Sequence, residues 1–392
     1  MKGDSPQMPE RTSRKRICFV TTIHGTLATF VRPQTEHLGS RGWEITWACA
    51  NGPGVREATP VGVTYVPVPF RRGIDPLGVP RAIAALYRLF KRERFDIVQY
   101  STPNAAFCAS TAAWLARVPV RIYAQWGIRY VGFDGAIRRM FRLLERWCCR
   151  CSTLIEPDSP SNLEFSVQEG LYPREKGRVI WNGSASGVNL ERFDIRRKGA
   201  WRTTYRRLAG LEPHDLVVGF VGSIRRDKGC NELIAACRSF FGDIPEARLL
   251  LVGDKLFFGS IHEELRDWAA SSSRVIHIPP SSEVPQYMAC MDVLALPSYR
   301  EGFGTVIVEA EAMGVPVVVS DVPGPVDAMR HEETGYAVPV RNADALAAAL
   351  RRLLTNPGKR IALGARAAAF ARDNFEQEEH CRRVLADKEG LL

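Results

Sequence analysis

Short apolar runs alternate with stretches of helical spacing along almost the whole chain. In the first half the runs fall at 17–21, 44–49, 63–68, 97–100, 121–124, 153–156 and 179–181. They are rich in Val, Ile and aromatic residues, and each has the length of a buried strand. Helical patterns lie between them, over Pro80–Lys91, Asn104–Ala116 and Ala136–Cys151 among others. A polar segment from Asn182 to Pro213 carries no strand pattern and predicts a domain boundary. Strand runs resume at 217–221, 249–252, 275–278, 293–296 and 315–319, with helices expected over Cys230–Phe240 and Ser260–Ala270. From Ala343 onward alanine and arginine recur at helical spacing. This alternation predicts two doubly wound α/β domains, Rossmann-like in character, facing each other across a cleft at the carboxyl ends of their strands.

The stretch from Val293 to Val319 carries the most chemistry. An apolar run, Val293–Leu296, stops at Pro297, and a loop containing Gly302 and Gly304 leads into a helical pattern from Thr305 to Met313. The two glycines let backbone approach a ligand at the start of that helix, where free N–H groups and the positive dipole end suit a phosphate. Glu301 precedes the loop, and Glu309 sits about one turn inside the helix, its side chain leaning back towards the helix start. An acid on either side of a phosphate cradle fits a nucleotide-sugar, which carries hydroxyl-rich groups at both ends of a diphosphate. A second glycine turn, Gly222-Ser223-Ile224-Arg225-Arg226-Asp227-Lys228-Gly229, follows the run at 217–221. Cations beside glycine backbone are what a departing diphosphate requires. The first strand ends in Thr22-Ile23-His24-Gly25-Thr26, another strand-to-helix turn.

Glu301 and Glu309, with seven residues between them and Gly-Phe-Gly after the first, resemble the signature of the retaining GT-B glycosyltransferases of family GT4. The resemblance implies a hexosyltransferase with its nucleotide-sugar, a UDP-sugar above all, on the second domain and its acceptor on the first. It implies roles for Glu301 on the donor sugar, for the amides of Gly302, Phe303, Gly304 and Thr305 on the diphosphate, and for Glu309 on the ribose. Lys228 matches the lysine of the family's second motif, while Ser223 stands where the family has arginine. Arg225 or Arg226 is then the expected substitute, and Gly222, Ser223 and Gly25 are expected to line the donor. The family's histidine–glycine pair is replaced by Gln125-Trp126-Gly127-Ile128-Arg129-Tyr130, so a leaving phosphate oxygen rather than a side chain is expected to take the acceptor proton. Asn182-Gly183-Ser184-Ala185-Ser186-Gly187-Val188-Asn189 resembles a stretch of bacterial members that extend polyprenyl-diphosphate-linked glycans, as in capsule or O-antigen assembly. The implied divisions are a disordered lead-in over 1–15, an acceptor domain over 16–195, a donor domain over 196–373, and a last helix, 374–392, rejoining the first domain. A sugar-nucleotide epimerase of similar architecture, or a nucleotide-binding subunit without turnover, are the alternatives, the latter motivated by Ser223 and the absent histidine.

Composition narrows the partners. Hydrophobic residues make up 45% and charged residues 24% of the 392, an ordinary globular mixture. No run is apolar enough to cross a bilayer, and residues 1–16 lack the apolar core of a secretory signal, which predicts a cytoplasmic protein. The ten cysteines, including Cys148, Cys149 and Cys151, are scattered in apolar contexts without metal spacing. With no Asp-x-Asp at a strand end, neither a metal nor another cofactor is expected. The net charge of +10 concentrates in the first half, at Arg71-Arg72, at Lys91, Arg92 and Arg94, and at Arg138, Arg139, Arg142, Arg146 and Arg150. The last group recurs around Ile137, Phe141, Leu144 and Trp147, the pattern of a basic amphipathic helix. An anionic surface on the inner face of the cytoplasmic membrane is therefore an expected partner, the alternative being a core helix whose arginines face water. Nucleic acid is not expected, because no basic segment is interleaved with aromatics in a binding module.

Overall fold

The computed structural model describes Arg14–Phe70, Gly78–Asp254 and Phe258–Leu392. Most of the lead-in, and both Arg71 and Arg72, lie outside these residues. Two six-stranded sheets are present. The first has strand order β3-β2-β1-β4-β5-β6, from β1 (Arg16–Val20), β2 (Glu44–Cys49), β3 (Val63–Pro67), β4 (Ile97–Tyr100), β5 (Val120–Gln125) and β6 (Leu154–Pro157). The second has order β12-β11-β10-β7-β8-β9, from β7 (Leu216–Val221), β8 (Ala247–Val252), β9 (Val275–Ile278), β10 (Val293–Leu296), β11 (Val317–Ser320) and β12 (Gly335–Val338). Pairing is parallel, as in β1 with β2 and β7 with β8. The central strands of the second sheet, β7 and β10, are apolar at every position because helices cover both faces. In β10, for example, all four residues are buried.

The chain divides into two compact units, one reaching Ile122 and the other running from Tyr123 to Gly390, so the division falls inside β5. Two expectations need correction. The run Val179–Trp181 is no strand; its neighbour Gly177 makes a single bridge to Ile155, and Trp181 turns away with φ +53°. A strand absent from the sequence reading, β12, closes the edge of the second sheet by pairing with β11.

The helix Gly135–Cys151 also differs in detail. It turns Glu145, Cys148, Cys149 and Cys151 inward, so the exposed apolar positions are Ile137, Met140, Leu143 and Trp147. Phe141 and Leu144 are half-buried, and the Phe141 ring stacks on Phe133 at 5.0 Å. All ten cysteines are buried and outside any disulfide. The last helix, Gln377–Glu389, packs against the end of the first sheet. There the buried Lys388 pairs with Glu156 of β6, and Asp387 meets Arg178 at 2.7 Å.

Candidate functional site

In the second sheet, β7 lies between β8 and β10, so the strand order reverses at β7. The loops leaving β7 and β10 diverge there at the strands' carboxyl ends, where open α/β sheets bind ligands. These are the two loops that carry the candidate chemistry. They are stitched together: Tyr299 N donates to Asp227 O at 3.0 Å, and Gly229 packs directly on the backbone of Pro297. A Cβ at Gly229 would stand 1.9 Å from the Pro297 carbonyl oxygen.

This stitching brings Lys228 and Glu301 together. Lys228 Nζ lies 2.6 Å from Glu301 Oε1, which also accepts from Ser298 Oγ at 2.7 Å. The second oxygen of Glu301 takes no hydrogen bond among the described residues. Past Glu301, the backbone N–H groups of Gly302, Phe303, Gly304 and Thr305 have no acceptor among the described residues. Gly304 is the N-cap of the helix Thr305–Ala312, with φ +84°. Unpartnered amides at a helix start make an anion site. The Phe303 ring belongs to the core, 5.1 Å from Phe375, so only its backbone is offered to a ligand.

Glu309 is half-buried in the second turn of the same helix, and no side chain among the described residues bonds its carboxyl. Burial pushes it up to about 7, with Arg192 pulling it back down. Of the other predicted residues, Gly222 donates to Val252 O at 2.9 Å, and Ser223 Oγ donates to Asp254 Oδ2 at 3.2 Å. Arg225 Nε sits 2.7 Å from Asp227 Oδ1, and Arg300 approaches the other oxygen of that carboxylate at 3.4 Å. Gly25 belongs to the first unit, in the short helix His24–Thr26 after β1, and its amide has no acceptor among the described residues.

Gln125 and Trp126, the two residues expected in place of the family's histidine, lie at the end of β5. Gln125 points into the interior, donating to Glu145 Oε1 at 2.7 Å and accepting from Ser166 and Tyr172. Burial raises the Glu145 carboxyl, which suits a group whose bonds come from neutral amide and phenol donors. Trp126 and Gly127 are left at the edge of the loop that holds Glu301 and Gly302. A Cβ on Gly302 would lie 2.9 Å from Gly127 N and 2.4 Å from Asp158 Oδ2.

Four residues here escaped the sequence reading: Asp158, Ser159, Ser161 and Asn162, where β6 passes into the helix Pro160–Gln168. Ser159 Oγ and Asn162 Nδ2 both donate to Gly302 O, and Ser161 N donates to Asp327 Oδ2 at 2.9 Å. Burial, with Glu301 and Asp327 facing it, pushes the Asp158 carboxyl well above the usual range. A cap serine followed by proline after an apolar run was the available signal. The Asn182–Asn189 stretch is tied to the chain's return crossing. Asn182 Nδ2 donates to Asn374 O, and Val188 exchanges backbone bonds with Phe375 and Gln377.

The chain is similar to known proteins in both halves. The family model for group 1 glycosyl transferases matches residues 202–370, and that for the glycosyl transferase 4-like domain matches residues 25–183. A D-inositol 3-phosphate glycosyltransferase of Nocardia farcinica is 32% identical over 95% of this chain and 88% of its own. The capsular polysaccharide biosynthesis glycosyltransferase CapM of Staphylococcus aureus is 26% identical, covering 89% of this chain and 90% of its own. An Escherichia coli UDP-Gal:alpha-D-GlcNAc-diphosphoundecaprenol alpha-1,3-galactosyltransferase is 25% identical over 72% of each chain. The crystal structure of Anabaena HepE with UDP and glucose superposes with a TM-score of 0.78 at 20% identity, over 97% of this chain and 100% of that one, which is a likeness of fold. The protein is a two-domain α/β enzyme of the GT-B fold. It belongs to the GT4-type glycosyltransferases, which use nucleotide-sugar donors.

Proposed function

We propose that this chain transfers a hexose or N-acetylhexosamine from a UDP-sugar to a polyprenyl-diphosphate-linked saccharide, with retention at the anomeric carbon, in cell-surface glycan assembly. The observation that carries this reading is the run of unpartnered amides from Gly302 to Thr305 beside the Lys228–Glu301 pair. The diphosphate binds on those amides, and Lys228 turns to balance charge on the departing β-phosphate. The free oxygen of Glu301 takes a hydroxyl of the donor sugar, and Glu309 takes the ribose hydroxyls. Gly222 and Ser223 lie at the donor's edge in the turn after β7, and Arg225 adds positive charge. The leaving phosphate oxygen accepts the proton of the incoming hydroxyl, since Gln125 is committed to the interior. Lys228 supplies the cation, so the transfer is proposed to need no divalent ion.

The acceptor class draws on the lipid-linked acceptor in the name of the E. coli relative and on the capsular role of CapM. The test is UDP release from UDP-glucose, UDP-galactose and UDP-N-acetylglucosamine, in EDTA, with undecaprenyl-diphosphate-linked GlcNAc as acceptor and NMR of the product's anomeric centre. Release that depends on the lipid acceptor supports the reading. Tight UDP binding without turnover on any acceptor would point to a subunit without activity, and an inverted product would end the retaining assignment. A second reading, favoured by the 32% identity to the Nocardia enzyme, takes a soluble inositol phosphate as acceptor. It predicts turnover with that compound and none with the lipid.

The Glu309 role has a pH signature. A ribose hydroxyl bonds a carboxylate better than a neutral acid, and with a value of about 7 the unliganded group is partly protonated near neutrality. Binding then draws off that proton, so UDP affinity rises with pH between about 6 and about 8 and levels off above. Glu309→Gln should flatten that rise in calorimetric titrations. A wild-type affinity independent of pH would remove the ribose role.

The proposed membrane partner is the anionic inner face of the cytoplasmic membrane. On the helix Gly135–Cys151, Leu143 is 67% and Ile137 53% exposed, with Arg139, Arg146 and Arg150 also exposed beside them. Apolar side chains ringed by arginine suit an anionic lipid surface. Co-sedimentation with phosphatidylglycerol vesicles is expected, weakening as salt rises and with Leu143→Asp. Equal binding to phosphatidylcholine vesicles would contradict the electrostatic part.

A further inference from the structure

We propose that Ser159 and Asn162 are positioning residues for the donor: they fix the Gly302–Phe303 peptide so that its N–H faces the diphosphate. This rests on the donor site proposed above and names what holds it in shape. In a trans peptide the carbonyl of one residue and the N–H of the next point in opposite directions. The Gly302 carbonyl oxygen is held towards the start of the helix Pro160–Gln168 by two donors, Ser159 Oγ at 3.1 Å and Asn162 Nδ2. The Phe303 N–H is therefore turned the other way, and it has no acceptor among the described residues.

Helix capping alone does not account for this arrangement. As N-cap, Ser159 needs only to accept, which it does from Asn162 N at 3.3 Å and from Asn162 Nδ2 at 2.8 Å. Its one proton is then free, and it goes to a carbonyl 143 positions away in sequence. Both side chains are buried, Ser159 fully, so these bonds are shielded from competing water. The surrounding backbone restricts the peptide from the other directions. Asp158 Oδ2 and Gly127 N fill the space beside Gly302, and Gly324 N donates to Ser161 Oγ at 2.8 Å, bringing the next turn against the same carbonyl. With the two donors gone, packing alone holds the carbonyl, the peptide tilts, and its N–H no longer lines up with the diphosphate.

The test uses neutral substitutions, since an added carboxylate would repel the ligand by itself. Ser159→Gly keeps a serviceable N-cap and removes the donor, Ser159→Thr keeps the donor, and Asn162→Ala removes the amide. UDP affinity is read by calorimetry, uridine binding by ligand-observed NMR, and folding by thermal melting. Ser159→Gly and Asn162→Ala should each weaken UDP about tenfold while leaving uridine unchanged, the loss expected for one hydrogen bond to a charged group. Ser159→Thr should bind UDP like the wild type. Equal weakening of UDP and uridine would make the residues merely structural, and undiminished UDP binding would overturn the proposal outright. A wild-type protein that binds no UDP at all would instead remove the donor site on which it stands.

Discussion

Replacing Lys228 with alanine should lower kcat by about 10²–10³-fold, the usual loss when one group that stabilises a leaving anion is removed. Folding should change little. Lys228 and Glu301 are both partly exposed, 23% and 14% at their side chains, and pairs open to solvent add little to stability. Glu301 also keeps its bond from Ser298 after the substitution. The unliganded pair further implies a rearrangement on binding, because the ammonium that neutralises a carboxylate in the free protein must come to share a phosphate. Turnover by UDP release, set beside thermal melting of the same preparation, decides the matter. A loss of activity that simply tracks unfolding would make the pair structural.

The largest loss of stability is expected at Gly229. Its φ of +71° disfavours any side chain, and the added Cβ would fall on a backbone carbonyl that cannot swing aside. Gly229→Ala should cost about 3–5 kcal/mol in denaturant unfolding, the range of severe backbone and packing faults. Because this glycine seats the Lys228 loop on the end of β10, UDP binding should fail along with stability. Gly242 is the control, with nothing within 4 Å of a Cβ built there, so Gly242→Ala should be close to neutral. Similar effects at both positions would show that the close approach at Gly229 is easily relaxed.

The contrast between legible and illegible parts follows from sequence distance. Strands such as β7 and β10 are apolar throughout because both faces are covered, and that composition announces them without tertiary information. β12 has only Gly335-Tyr336-Ala337-Val338 to offer, and its identity comes from pairing with β11, where Gly335 passes close to the Val317 carbonyl. The apolar run Val179–Trp181 looked like a strand but had no neighbour to pair with along its length. In the proposed site, Lys228, Glu301 and Glu309 stand in local motifs that are read from spacing alone. Ser159 and Asn162 lie about 140 positions from the loop they grip, and nothing in their own neighbourhood names Gly302 as a partner. On the helix Gly135–Cys151 the periodicity was visible, but which side faced inward was decided by the cysteines and Glu145.

The pairing of Lys388 with Glu156 spans 232 positions. A growing polypeptide cannot make this contact until Lys388 itself has left the ribosome. Glu156 must wait as an uncompensated acid while the residues between them are made, so the unit beginning at Tyr123 closes its interior late. Loss of the Lys388 ammonium alone would thus harm a strand far away in sequence, by leaving a buried carboxyl without its counter-charge.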